Sequence, residues 1–188
     1  MMKIFVDDRK LIFYTVISVI FIPCLIFALL GFRVNLTPSM PLGIWQQIGD
    51  IRSLPKSIPV TFCLPNTNTK VNRMIIERQY LPKGKCENGF APLLKYVAAV
   101  PGDVVDIDMD AVSVNGRVIP NSATMLKDRE GHPMIFIPRG RYIVNKNEYW
   151  FMAVDRKNSL DSRYFGAIPA AFILHAMKPV ATFSLYPN

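Results

Sequence analysis

Ser39 stands in the stretch Asn35-Leu36-Thr37-Pro38-Ser39-Met40-Pro41-Leu42-Gly43, with a proline on either side and a long apolar segment just before it. Pro38 and Pro41 lack amide donors and fix φ near about −65°, so the stretch is neither regular helix nor central strand. A serine on a rigid, irregular segment suits a nucleophile, and the Thr37 hydroxyl two residues earlier suits an oxyanion donor. Taken alone, the spacing favours a capped turn leading into the next element. Lys95 supplies what a serine nucleophile lacks. It sits in Leu93–Val100 (LLKYVAAV) with apolar neighbours on both sides, and lysine is seldom fully buried without a partner. Burial disfavours the ammonium and lowers its pKa, so such an amine can act as a general base near neutral pH. Ser-Lys pairs are a known variant of the catalytic triad. The plain alternative is a lysine on the polar face of an edge strand.

Other chemistries fit less well. There are two histidines, His132 beside a proline and His175 in an apolar stretch, and no G-x-S-x-G elbow surrounds Ser39, which disfavours a Ser-His-Asp triad. Asp106-x-Asp108-x-Asp110 invites a calcium-loop reading, but Ala111 and Arg117 stand where that template needs glycine and glutamate. A solvated strand face is the better reading. No metal is expected, since a zinc site needs more ligands of the right spacing than the chain offers. Of the three cysteines, Cys24 lies in the apolar segment, where a thiol behaves as a small hydrophobe. Cys63 and Cys86 have no CxxC motif or histidine cluster near them. In an oxidising compartment they read as a disulfide rather than a metal site, worth roughly 3 kcal/mol in the chain-entropy picture. Two unrelated core cysteines remain the alternative.

The elements that must position these groups begin with an anchor. At 188 residues the chain has room for one domain plus a membrane segment. Half of it is hydrophobic and the mean hydropathy of +0.22 is high for a wholly soluble protein, but the excess is local. Leu11–Phe32 is 22 residues without a charge, about 33 Å as helix and enough to cross a bilayer. Pro23 interrupts it, which membrane helices tolerate. A cleaved signal peptide would have a shorter apolar region ending in a small-x-small site; Phe27-Ala28-Leu29-Leu30-Gly31 is a poor match, so the segment reads as an uncleaved anchor. Lys3, Arg9 and Lys10 precede it and only Arg33 follows closely, which favours a cytoplasmic N-terminus. The expected organisation is a cytoplasmic tail over 1–10, a single-pass inner-membrane anchor over 11–32, and an outer, periplasmic domain over 33–188.

The net charge is +8, of which residues 1–32 carry +1. No lysine/arginine block of five and no stacking aromatic motif accompanies it, which argues against a nucleic-acid partner. Attraction to the headgroups of the bilayer is the simpler account.

Past the serine segment the chain reads mostly as β. Val60–Leu64 is a short apolar strand followed by a polar loop, Pro65–Arg73. Met74–Leu81 fits a helical turn or a strand equally. Leu93–Val100 reads as a strand ended by Pro101-Gly102-Asp103. Val105, Ile107 and Met109 then alternate with aspartates, and Val112–Val118 reads as a hairpin turned by Asn115-Gly116. Asn121–Pro133 is a polar loop, with strands at Arg141–Val144 and Tyr149–Val154. Outside the anchor, only Pro169–Met177 carries a helical pattern.

Three blocks of residues together resemble a known family. Ser39-Met40-Pro41, then Lys95-Tyr96-Val97-Ala98-Ala99-Val100-Pro101-Gly102-Asp103, then Ser159-Leu160-Asp161-Ser162-Arg163-Tyr164-Phe165-Gly166 resemble, in order, the boxes of the type I signal peptidases. Ser-Met-Pro-Leu-Gly, and paired cysteines around Tyr80–Gly84, look like the TraF-type conjugal transfer branch. Ala153-Val154-Asp155-Arg156 departs from the family's Gly-Asp-Asn-Arg. The resemblance implies a mainly β fold, a signal-peptidase-like antiparallel β catalytic domain with one N-terminal transmembrane helix. It implies Ser39 as nucleophile, Lys95 as base, and the Ser39 amide with the Thr37 hydroxyl as oxyanion donors. Ser159 would orient the Lys95 amine, with Asp161 and Arg163 bracing its loop; for that pair the alternative is a surface ion pair. No cofactor is implied. The substrate would be a membrane-inserted precursor, the propilin of a conjugative or type IV secretion apparatus. The alternatives are a housekeeping signal peptidase and a non-catalytic, single-span assembly protein of a pilus or secretion system.

Overall fold

The computed structural model describes residues 8–49, 54–67, 69–154 and 156–184. Lys3, Asp155 and most of the expected cytoplasmic tail lie outside the described residues. Helix α1 (Asp8–Leu29) is apolar on every side, contains Pro23 and buries none of its residues. An all-round apolar surface suits a solvent of lipid rather than a protein core. The helix and the apolar run 11–32 do not coincide. The helix takes in Asp8, Arg9 and Lys10, and Gly31 at φ +79° terminates it as a left-handed cap. Phe32, at the end of the apolar run, already pairs with Gln46 in a strand.

The remaining elements, in chain order, are β1 (Phe32–Asn35), β2 (Leu42–Ile48), β3 (Pro59–Phe62), α2 (Thr69–Glu77), β4 (Leu93–Ala99), β5 (Val104–Ile107), β6 (Val112–Val114), β7 (Arg117–Val118), β8 (Gly140–Ile143), β9 (Glu148–Met152), α3 (Ser162–Phe165), β10 (Ile168–Pro169) and β11 (Ile173–Phe183). They form two antiparallel sheets. The larger has the order β1-β2-β11-β3-β4-β9-β10 and the smaller β7-β6-β5-β8. Alternation along β4 buries Leu93, Lys95, Val97 and Ala99, as period-two geometry requires of one strand face. Val60, Phe62, Val71, Ile75, Val97 and Phe151 belong to the main core, where Phe62 and Phe151 stack at 4.4 Å. A second core under the smaller sheet gathers Val105, Ile107, Val112, Val114 and Trp150.

Asp103 joins the sheets. Its carboxylate accepts from Val100 N (2.9 Å), Asn115 Nδ2 (2.6 Å) and Lys56 Nζ (3.2 Å). Asn115 and Gly116 both have positive φ, 50° and 76°, the conformation that a two-residue hairpin turn demands. The expected Asn-Gly hairpin is therefore present as β6–β7.

Two stretches depart from the sequence expectation. Pro169–Met177 is not a helix: a single 3-10 turn at Ala170–Phe172 leads into the eleven-residue β11. That strand lies between β2 and β3 and pairs with both, so ladder hydrogen bonds on two sides outweigh a local pattern. The polar loop after β3 is also shorter than Pro65–Arg73. α2 begins at Thr69 and buries Val71, Met74 and Ile75 on one face, which places the first half of the ambiguous Met74–Leu81 stretch in a helix.

Cys63 and Cys86 form a disulfide with a Cα–Cα distance of 5.6 Å. It fixes the segment before β4 against the end of β3. Replacing both cysteines by alanine is expected to lower stability by about 3 kcal/mol, measured by urea unfolding of the full chain in detergent. Thiol labelling of the denatured, unreduced protein should find Cys24 alone, and all three cysteines after reduction.

Candidate active site

The turn that carries Ser39 is held by Asn35, a residue to which the sequence reading gave no role. Asn35 Nδ2 donates to the carbonyl oxygens of Thr37 (3.0 Å), Met40 (3.2 Å) and Pro41 (3.0 Å). Its Oδ1 accepts from Thr37 N (3.1 Å) and Thr37 Oγ1 (2.7 Å). With two prolines in the turn, backbone donors are scarce, and one amide side chain takes over the closure. Asparagine two residues before a hydroxyl residue and a proline is the signal that could have revealed it. Met40 is buried with Trp45 and Met177, and Trp45 Nε1 donates to Pro41 O (3.1 Å). Gly43 follows at φ +122°, where a Cβ would stand 2.2 Å from Ala181 O; only glycine lets β11 come this close.

Lys95 faces this turn from β4. That strand is interior, flanked by β3 and β9, so the edge-strand alternative does not apply. The side chain is 3% exposed, and Nζ donates to Ser39 Oγ at 2.8 Å. Burial lowers its pKa from 10.5 to about 8; Asp161 pulls it back up and Arg163 pushes it further down. At neutral pH a useful fraction of the amine is uncharged and able to accept the serine proton.

Asp161 and Arg163 are both completely buried, not a surface pair. Arg163 Nε donates to Asp161 Oδ1 and Nη2 to Oδ2, each at 2.8 Å. The guanidinium also donates to the carbonyl oxygens of Asn121, Ala123, Lys157 and Ser159. Asp161 accepts from Ala153 N, and Ser162 Oγ from Phe151 N, which pins the segment to β9, the neighbour of β4. Arg163 thus closes two loops against the sheet that carries Lys95. Ser159 Oγ is buried and has no hydrogen-bond partner among the described residues; the structure does not place it on the Lys95 amine. Thr37 Oγ1 gives its proton to Asn35.

Asn35, Thr37, Ser39, Lys95 and Ser159 line a cleft of about 750 Å³. Its apolar lining includes Leu36, Leu81, Leu93, Met125, Met134 and Leu160. Part of the wall is the loop around Asp128, whose carboxylate accepts from Tyr80 OH, from the backbone N–H groups of Glu130 and His132, and faces His132 Nδ1. The Tyr80 bond, ahead of the others, holds Asp128 well below the usual carboxylate range. Neither histidine lines the cleft. Asp106 pairs with Arg141 at 2.8 Å, and no group of three metal-ligating side chains occurs among the described residues.

Residues 9–180 match the family model described as signal peptidase, peptidase S26. The chain belongs to this family. Among curated relatives of this S26 chain, a probable conjugal transfer protein TraF of Sinorhizobium fredii is 40% identical over 82% of this chain and 79% of its own. A conjugal transfer protein TraF of Agrobacterium tumefaciens is 37% identical over 81% and 84%, and a plasmid transfer protein TraF of Escherichia coli 33% over 81% and 83%. A crystal structure of a signal peptidase I from Enterococcus faecalis aligns with 66% of this chain and 97% of its own, with a TM-score of 0.37 at 16% identity.

Two stability experiments follow. The folded-state pKa of Lys95 lies below its unfolded value, so the unfolded chain binds more protons and stability rises with pH between about 8 and 10.5. Below about 8 the buried amine therefore costs on the order of 3 kcal/mol. Lys95→Met should be more stable than the parent at pH 7, with the gap narrowing as pH approaches 10.5, read from urea midpoints. Arg163→Met leaves Asp161 buried without its partner and should cost about 3–5 kcal/mol; adding Asp161→Leu should recover part of the loss.

Proposed function

We propose that the chain is a membrane-anchored endopeptidase that uses Ser39 as nucleophile and Lys95 as general base. The observation that carries the proposal is the 2.8 Å contact between Lys95 Nζ and Ser39 Oγ in a site where burial brings the amine to about 8. Ser39 Oγ attacks the scissile carbonyl carbon while its proton passes to Lys95 Nζ. The resulting oxyanion takes hydrogen bonds from the Ser39 N–H and from the Thr37 hydroxyl, which turns away from Asn35 to reach it; each such donor is worth about 3–4 kcal/mol. When the C–N bond breaks, Lys95 returns the proton to the leaving amine. Water or an amine then resolves the acyl-serine ester, with Lys95 again taking the proton. Ser159, which lines the same cleft with its hydroxyl buried and without a partner among the described residues, would accept from the amine and hold it on Ser39. Asp161 and Arg163 keep the Ser159 segment in place without touching the substrate.

The substrate reading rests on α1 and on the relatives' names. Helix α1 is long and apolar enough to cross a membrane, and the excess of basic residues before it favours a cytoplasmic N-terminus. The cleft then lies on the outer side of the inner membrane, within reach of a bond presented by a membrane-inserted precursor. Relatives named as conjugal and plasmid transfer proteins support a precursor from a DNA-transfer apparatus, and the TraF-type resemblance narrows this to its propilin. A housekeeping role in general export is the second reading.

Ser39→Ala and Lys95→Ala should each slow processing by more than about 1000-fold, and the double variant should be no worse, because groups acting as one unit are not additive. Lys95→Arg should be equally inactive, since arginine does not deprotonate. kcat/KM should rise about tenfold per pH unit below about 8 and level off above it. Mass spectrometry of the propilin, with and without intact Ser39, is the deciding measurement. Loss of pilus production and DNA transfer while bulk export continues supports the propilin reading; accumulation of export precursors in general would sink it.

A further inference from the structure

The long polar connection from β7 to β8 has no part in the peptidase mechanism, yet its middle lines the catalytic cleft. There the chain folds back on itself. Lys127 and Pro133 form an antiparallel bridge, Met134 N donates to Leu126 O (2.9 Å), and Asp128 N donates to His132 O (2.9 Å). Gly131 N donates to Asp128 O (3.2 Å), and its φ of +87° turns the tip through a conformation that glycine adopts freely.

Two other segments of the cleft lining hold this tip. From the end of α2, Arg78 Nη1 donates to Pro133 O (2.8 Å) and stands 3.8 Å from Asp128 Oδ2, to which Tyr80 OH also donates. From the opposite segment, Asn158, its amide oxygen turned to the guanidinium, accepts from Arg129 Nε (3.1 Å) and Nη2 (2.6 Å). Asn158 directly precedes Ser159, whose buried hydroxyl belongs to the same cleft.

Of the seven charged side chains in the cleft lining, five are basic. Lys95 is held on Ser39, and Arg78 faces Asp128. The Asp128 carboxylate is already occupied by Tyr80 OH and by the N–H groups of Glu130 and His132. That leaves Lys127, Arg129 and Arg156 against Glu130, whose carboxylate lies 3.6 Å from His132 Nδ1. Asn158 takes only the Nε–Nη2 edge of Arg129. The fork formed by Nη1 and Nη2 keeps its donors, and such a fork matches the two oxygens of a carboxylate.

We propose that Lys127 and Arg129 select precursors that carry an acidic side chain within about three residues of the scissile bond, each extended residue spanning about 3.3 Å. The inference rests on the peptidase reading given above and adds a substrate preference to it. Arg129 donates to the carboxylate through its open fork, and Lys127 adds a point charge beside it. Because both ends of the tip are already tied down, binding orders little that was free. The tie to the residue before Ser159 keeps the fork close to the Ser39–Lys95 pair. The plain alternative is a solvated basic rim that selects nothing.

The test uses the full chain in a neutral detergent with internally quenched, alanine-rich peptides. One residue is varied as glutamate, glutamine or lysine at successive positions on both sides of the scissile bond. At one of these positions glutamate should lower KM about tenfold relative to glutamine with little change in kcat, an exposed ion pair supplying up to about fivefold. About 0.5 M sodium chloride should shrink that advantage. Lys127→Glu with Arg129→Glu should abolish it and pass the preference to the lysine peptide, a gain that misfolding does not produce. Lys127→Gln alone should cut the advantage to about threefold. Equal KM for glutamate and glutamine at every position, or a glutamate preference that survives the charge reversal, overturns the proposal. Fluorescence polarisation of the same peptides on the Ser39→Ala chain separates this inference from the peptidase reading. Tighter binding of glutamate peptides that the parent never cuts refutes the peptidase and leaves the selection standing; cleavage indifferent to glutamate refutes only the selection.

Discussion

A primary amine held out of water, 2.8 Å from a serine hydroxyl, is the constraint on which the rest of the site depends. Such an amine is useful only if no carboxylate locks it as an ammonium. Asp161 is close enough to raise the Lys95 pKa, and Arg163 offsets it. The two are therefore best understood together, as a neutral unit. Asp161 alone would stabilise the charged amine, and Arg163 alone would be a buried cation with nothing to answer it. Paired, they leave desolvation as the dominant influence on Lys95, and the guanidinium still has donors for four backbone carbonyls that loops would otherwise leave unsatisfied. The pair organises structure while staying electrostatically quiet, which is what the general base proposed next to it requires.

The serine side of the contact is built differently. No helix or ladder holds Ser39; an asparagine side chain, a buried methionine and two prolines do. The turn costs little to keep because Pro38 and Pro41 have already given up the freedom that ordering would remove. Its orientation comes from Met40, whose side chain is sealed under Trp45 and Met177 and so leaves Ser39 facing β4. That arrangement needs β11 beside β2, and β11 comes from the far end of the chain. Ser39 and Lys95, 56 residues apart in sequence, meet because the last long strand inserts between the strands that carry or adjoin them.

What could be read from the sequence follows this division. Ser39 and Lys95 stood out because a lysine in an apolar run and a serine between prolines are chemically unusual, and because three boxes occur in order. The Asn115-Gly116 hairpin was legible since its turn requires positive φ at both central positions. The cysteine pair was legible once metal ligands were missing nearby. β11 was not. Its first residues carry a helical pattern, and only partners more than 100 positions away, such as Thr61 for His175, decide that they form a strand. β1 was hidden for the opposite reason, because Phe32 ends an apolar run whose helical part stops at Leu29. Asn35 was missed because its role lies in hydrogen bonds to carbonyls, which residue type alone does not announce. The complete burial of Asp161 and Arg163 is equally a tertiary fact: two charged residues at i and i+2 read as surface unless the loops that cover them are known.

The order α1, β1, serine turn, β2 has a mechanical consequence. Two residues separate the helix from β1 and six separate β1 from β2, and β1 pairs along its whole length with β2. Helix, edge strand and turn therefore move as one piece. Asn35, the last residue of β1, makes the closing bonds of the turn, so tilting the helix would strain the bonds that hold Ser39 before it disturbed the deep core around Phe62. Lys95, by contrast, lies in an interior strand whose neighbours on both sides are core strands. If α1 is held by a bilayer, as proposed, the nucleophile is referenced to the membrane and the base to the core. The Lys95–Ser39 contact is then where those two frames meet, and the β2–β11 ladder, with Gly43 against Ala181, keeps them in register.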